Sequence, residues 1–123
     1  MNETVLVVCD DLLFWSRIQG AAQAAGVPVR RVDGPPVPGP VRLVLVDLSV
    51  KSLDPFACAE SWKRAPEPPE LIAFGSHVDL EALSRARKAG FDRVLTRSAF
   101  VRELPALLTH PREEPAPPGS SPA

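Results

Sequence analysis

The sequence contains no tyrosine, only two cysteines and two histidines, and almost no surplus of charge of either sign. Cys9 and Cys58 lie in different predicted elements. They are too few for a disulfide framework, and both read as buried, reduced thiols. His77 and His110 stand alone, so no Cys/His spacing resembles a zinc site. Fourteen Lys and Arg against fifteen Asp and Glu leave a net charge of −1, which carries no global signal for nucleic acid or for a membrane surface. The longest apolar runs are four or five residues, far short of the ~20 that a membrane helix needs. The amino terminus, MNETVLVV, has no basic region ahead of a long apolar core, so no secretory signal is expected and the expected location is the cytoplasm. Internal repeats are absent. No G-x-G-x-x-G or G-x-x-x-x-G-K-[ST] follows the first apolar run, where two acids stand instead and would repel a phosphate. No Ser/His/Asp or Cys/His constellation is visible either, so the chain does not read as an enzyme.

What is present is a chain of 123 residues, the size of one domain with a single core. Five apolar β-type runs appear: Thr4–Cys9, Val27–Val32, Val41–Asp47, Leu71–Phe74 and Arg93–Thr96. Three are near-continuous hydrophobic runs, the mark of strands covered on both faces of a parallel sheet. Helical stretches separate most of them. Leu12–Ala25 puts Phe14, Ile18, Ala21, Ala22 and Ala25 on one face and closes at Gly26, suited to a left-handed cap. Pro55–Ala65 begins with a proline suited to a first turn. Val78–Ala89 follows Ser76, with Asp79 three residues on, close to a capping box, and ends at Gly90. Ala99–Leu108 contains Pro105, which removes one backbone hydrogen bond and predicts a kink or restart. Trp15 and Trp62 fall on helices as core or rim residues. The alternation implies an α/β doubly wound sheet with right-handed crossovers.

One crossover is unusual. Between the second and third strands stands GPPVPGP, residues 34–40, with four prolines and no helical pattern. If the first strand lies between those two, they are about 10 Å apart. The return path is then about 20 Å, and seven residues in polyproline II span about 22 Å. A proline-rich loop is therefore expected where such folds carry a helix. The polar, proline-rich end, HPREEPAPPGSSPA, cannot bury enough to order itself. The expected division is a domain over 1–109 and a disordered tail over 110–123.

In an open α/β sheet the ligand site lies outside the carboxyl ends of the strands, where strand order reverses. Here those ends carry Cys9, Asp10 and Asp11 on the first strand and Asp47 on the third. The fourth ends in Gly75 and Ser76, and the fifth in Thr96, Arg97 and Ser98. Acids from two strands and a cation from another converge on one pocket. Such acids can hold a hard divalent cation, or they can cap a helix and pair with Arg97.

With these residues in place, the chain resembles the receiver domains of bacterial response regulators, which have a flavodoxin-like fold with strand order 2-1-3-4-5. The resemblance covers residues 4 to about 108. VLVVCDDLL is similar to the family's first strand with its acidic cluster. LVLVDLSVKSLDPF is similar to the strand and loop that carry the phosphoacceptor, and ALSRARKAGFDRVLTRSAF to the last helix–strand unit. The resemblance implies that Asp47 is the phosphoacceptor and that Asp10, with Asp11 beside it, holds Mg2+ together with the carbonyl of Ser49. Several positions depart from the pattern. The first acid of the cluster is Cys9, and a neutral thiol is a poor magnesium ligand. The phosphate-contacting lysine is Arg97, which keeps the charge but alters reach, and the proline after it is Ser98. The hydroxyl residue of the switch falls at Gly75, and its aromatic partner at Val94.

Three readings follow. The first is an atypical, stand-alone pseudo-receiver that acts by contact with a signalling or regulatory protein and independently of phosphorylation. The second is a working single-domain response regulator, phosphorylated on Asp47 by a histidine kinase in two-component signalling, with Mg2+. The third is a small enzyme or nucleotide-binding domain on a similar fold, which no motif supports. No cofactor is required by the first. Residues 85–102 hold Arg85, Arg87, Lys88, Arg93, Arg97 and Arg102 against Asp92 alone. The candidate partner face is Arg87, Lys88, Arg93 and Arg102.

Overall fold

The computed structural model describes residues 4–34 and 40–109. The expected tail over 110–123, and residues 35–39 of the proline-rich crossover, lie outside them. The described flanks of that crossover, Val32–Gly34 and Pro40, are not helical.

Five strands form one parallel sheet: β1 (Thr4–Val8), β2 (Val29–Arg31), β3 (Val41–Asp47), β4 (Glu70–Gly75) and β5 (Arg93–Thr96), in the order β2-β1-β3-β4-β5. The helices are α1 (Leu12–Ala25), α2 (Pro55–Lys63), α3 (Leu80–Ala89) and α4 (Arg97–Thr109). This is the expected flavodoxin-like arrangement. Alternation along the strands sorts the core into two clusters. Val5 and Val7 of β1, with Leu43, Leu45, Ile72 and Phe74, pack against Ile18 and Ala22 of α1 and Phe100, Leu104 and Leu108 of α4. Leu6 and Val8, with Val44, Val46, Leu71 and Ala73, pack against Cys58, Ala59 and Trp62 of α2 and Leu83 and Ala86 of α3. Burial on both faces explains why these strands are apolar without interruption.

The helix ends follow local chemistry. Asp11 caps α1, its carboxylate accepting from the Leu13 and Phe14 amides at 3.0 and 3.1 Å. Gly26, at φ +70°, closes it, and the Val27 amide donates back to the Ala22 carbonyl. That closure, followed by Pro28 with no N–H to give, trims β2 to three residues where six were expected. Asp79, rather than Ser76, is the N-cap of α3: its carboxylate accepts from the Ala82 amide at 3.1 Å, while Ser76 Oγ accepts from Val78 N within the preceding turn. α4 begins at Arg97, directly after β5, and continues through Pro105 without the expected restart. Proline inside a helix costs about 3 kcal/mol, but Leu104 and Leu108 on either side are buried in the core, and that packing holds the helix across the missing bond.

Candidate functional site at the carboxyl edge of the sheet

β3 is central and buried on both faces, and it ends by delivering Asp47 to the sheet's carboxyl edge. Asp47 is 1% exposed, and among the described residues it is the buried charged group. Burying a carboxylate is costly unless hydrogen bonds and an opposite charge compensate. Both are present. Asp47 Oδ1 accepts from the Ser49 amide at 2.9 Å and from the Ser49 hydroxyl at 2.6 Å. Arg97 Nη2, arriving from the first residue of α4, lies 3.3 Å from Oδ1 and 3.4 Å from Oδ2. The same nitrogen donates to Ser49 Oγ at 2.6 Å. One amino group thus divides its two hydrogens between the carboxylate and the serine that also serves it.

Aromatic packing positions the arginine. Phe14, Phe74 and Phe100 stack with centroids 4.1–5.8 Å apart, and the Arg97 guanidinium sits 5.6 Å from the Phe14 centroid. Its Nε is buried and has no partner among the described residues. On the opposite side of Asp47, the Cys9 sulfur is 3.6 Å from Oδ2 and 3.5 Å from the Asp11 carbonyl. Burial first, then the Asp47 and Asp11 charges, push the thiol up to about 11, against the lowering effect of its bond to Asp11. Cys9 is therefore a neutral filler between acids rather than a nucleophile.

The other two acids face elsewhere. Asp10 reaches across to the loop after β3, where Oδ2 accepts from the Lys51 and Ser52 amides at 2.9 and 3.2 Å and Oδ1 from the Ser52 hydroxyl at 2.9 Å. The Lys51 amide, then the Ser52 hydroxyl, hold its pKa below the ordinary value. Asp11 is committed to capping α1. A divalent cation needs several oxygens with free lone pairs directed at one point. Here Asp10 is bonded to the loop after β3 and Asp11 to the start of α1, a thiol replaces the third acid, and Arg97 supplies the positive charge. Among the described residues no group of three or more His, Cys, Asp or Glu is placed to hold a metal. The donor set does not fit Mg2+ in this arrangement.

Gly75 ends β4 beside Asp47, and the space above it is filled. A Cβ there would meet Leu48 Cδ1 at 3.3 Å, Leu48 Cβ at 3.5 Å and Leu83 Cδ2 at 3.5 Å. Val94 is half-buried and packs against the α2–α3 cluster. Of the basic residues, Arg93 pairs with Glu103 at 2.6 Å and Arg85 stacks over Phe56 at 4.1 Å. Arg87, Lys88 and Arg102 are exposed.

Sequence reasoning therefore brought Asp47, Cys9, Arg97 and Ser49 to one place. It missed that Ser49 acts through its hydroxyl, that Leu48 seals the Gly75 side, and that Ser52 anchors Asp10. The D-x-S pattern of Asp47–Ser49 was a usable signal, because an aspartate readily accepts from the amide two residues on.

No protein-family model matches the sequence, and no curated protein matches it. Solved structures do. The chain is similar to the response regulator DrrB of Thermotoga maritima, an OmpR/PhoB homolog, with TM-score 0.71 and 17% identity over 86% of this chain and 50% of that one. It therefore spans about half of DrrB. It is similar to a response regulator receiver domain from Clostridium thermocellum, with TM-score 0.72 and 16% identity over 87% and 91% of the two chains. It is also similar, with TM-score 0.70 and 15% identity, to the Saccharomyces cerevisiae Ssk1 receiver domain, crystallised with the histidine phosphotransfer protein Ypd1; 88% of this chain and 87% of that one are covered. The fold is that of response regulator receiver domains. Asp47 occupies the strand tip at the centre of that receiver fold. Among the described residues no helix is long and apolar enough to cross a membrane.

Proposed function

We propose that this chain is an atypical receiver-like module that signals by protein contact, in a bacterial cytoplasm, and does not depend on phosphorylation of Asp47. One observation carries the reading: the Asp47 carboxylate is sequestered by Ser49 and Arg97. Phosphoryl transfer to a carboxylate needs an accessible oxygen and a cation that neutralises charge spreading over the phosphoryl oxygens. Here an arginine already occupies that electrostatic role against the acid itself. Leu48 packed over Gly75, and Val94 in place of an aromatic, support the same reading, since neither half of a hydroxyl–aromatic switch is present. The co-crystal of the similar Ssk1 domain with Ypd1 supports a protein as partner. The exposed basic residues Arg87, Lys88 and Arg102, with Arg93 beside them, are the face we assign to it.

The test is an amide NMR titration of the full chain with magnesium and then beryllofluoride, a phosphoryl mimic. The expected result is that the Asp10, Asp47 and Ser49 amides hold their positions in millimolar magnesium, and that α3 and β5 hold theirs after beryllofluoride. Saturable shifts at those three residues, followed by movement of α3 and β5, would make Asp47 a working phosphoacceptor with Asp10, Asp11 and the Ser49 carbonyl around Mg2+.

A further inference from the structure

Among the described residues, β2 is an edge strand of the sheet, with no strand paired to its outer side. Val32 N–H donates inward to the Val7 carbonyl at 2.9 Å. Backbone groups alternate sides along a strand, so those of Arg30 also face β1, while the N–H and C=O of Val29 and Arg31 face outward. Beside this edge, between β2 and α1, lies a groove of about 490 Å3 lined by Ser16, Gln19, Gly20, Gln23, Val27 and Val29, among others.

Gly20 is the unexplained residue of this groove. It sits inside α1, is exposed, and has a helical φ. A Cβ added to it would meet nothing within 4 Å. Apart from proline, glycine is the costliest residue in a helix interior, and nothing in the described fold requires it here. A backbone lying close against this side of α1 would require it.

The edge also has a chemical preference. Arg30 pairs in register with Leu6, which belongs to the α2–α3 cluster, so Arg30 points to that face, exposed. Val29 points to the α1 face with the groove. Two-fold pairing of β2 with a second copy, centred on Arg30, would set that side chain against its own counterpart, an unfavourable like-charge arrangement. Of the described residues after β2, Val32 packs into the α2–α3 cluster, and a Cβ added to Gly34 would meet Cys58 and Leu53.

We propose that this groove receives an extended segment of another protein, added beside β2 as a sixth strand, with an acidic side chain facing Arg30 and apolar side chains over Val29 and Gly20. The outward groups of Val29 and Arg31 give the main-chain bonds, and the groove gives the side-chain selectivity. Asp47 is not among the residues that line this groove.

The test is titration of the 15N-labelled full chain with blocked seven-residue peptides that alternate valine with glutamate or valine with lysine. The glutamate peptide is expected to shift the Val29 and Arg31 amides and the Gln19 and Gln23 side-chain amides. The lysine peptide should bind about two- to fivefold more weakly, the size of one cross-strand charge pair, and Arg30→Glu should reverse the order. Gly20→Ala should raise Tm by about 2–6 °C through helix propensity, yet weaken the glutamate peptide severalfold, an effect that loss of fold cannot produce. The proposal is overturned if neither peptide shifts these amides at millimolar concentration, or if Gly20→Ala leaves binding unchanged. It is also overturned if Val29 and Arg31 shift with protein concentration alone as a dimer sediments, since the occupant is then a second copy.

Discussion

Replacing Arg97 with methionine removes the guanidinium that sits over Phe14 and keeps an apolar stem of similar length. Asp47, 1% exposed, then holds its charge with only the two Ser49 donors. Breaking a fully buried pair in this way costs about 3–5 kcal/mol. The Arg97 side chain is 38% exposed, so solvent screens part of the interaction, and the Ser49 bonds survive. We therefore expect a loss of about 2–3 kcal/mol. Asp47→Asn is milder. The amide oxygen still accepts from Ser49, the arginine turns toward water, and the cost is about 1 kcal/mol. The double variant leaves no orphaned charge and should also cost about 1 kcal/mol, so it is more stable than Arg97→Met alone. The cycle then shows a coupling of about 2–3 kcal/mol, well outside the range for independent sites. Urea unfolding followed by far-UV circular dichroism resolves this, and in thermal melts each kcal/mol corresponds to about 4 °C for a domain of this size. Additive costs, or an Arg97→Met protein as stable as the parent, would refute the claim that Arg97 neutralises Asp47.

Two further predictions concern the surroundings of this pair. The Asp10 pKa is held below its ordinary 3.8, so the stability it contributes is present above that value and is lost as pH falls through the depressed folded value. Asp10→Asn should flatten the acid limb of the stability curve and shift the Lys51 and Ser52 amides at neutral pH; an unchanged limb would remove Asp10 as the anchor of this loop. Gly75→Thr should destabilise by about 1–3 kcal/mol by crowding Leu48. Pairing it with Leu48→Ala should recover part of that loss, and no recovery would show that Leu48 is not the obstacle.

The architecture was legible because the physics that sets it is local and periodic. The continuous apolar runs at Val5–Val8 and Leu43–Val46 require cover on both faces, and Gly26 and Gly90 mark helix ends through a backbone conformation that other residues avoid. The strand tips were legible as a group for the same reason: once order and direction are known, Asp47 and Arg97 must meet. What a carboxylate does at its tip was not legible. Asp10 and Asp11 are adjacent and chemically identical, yet one caps α1 and the other crosses to Ser52, a choice made by the turn after β3 that no periodicity records. The course of α4 through Pro105 was hidden likewise, because burial of Leu104 and Leu108 outweighs a local rule.

The strand order has a consequence in time. β1 is the first strand in the chain, and it lies between β2 and β3. Its partnership with β2 joins Val5 to Val29, but its partnership with β3 joins Val5 to Leu43. At a synthesis rate of about 5–20 residues per second, the far side of β1 waits about 2–8 s for its neighbour to be made. During that interval the apolar strand has both edges open until β2 is made, and one open from then until β3 is made. Until β3 is made, the short, arginine-bearing β2 is the only edge partner β1 has.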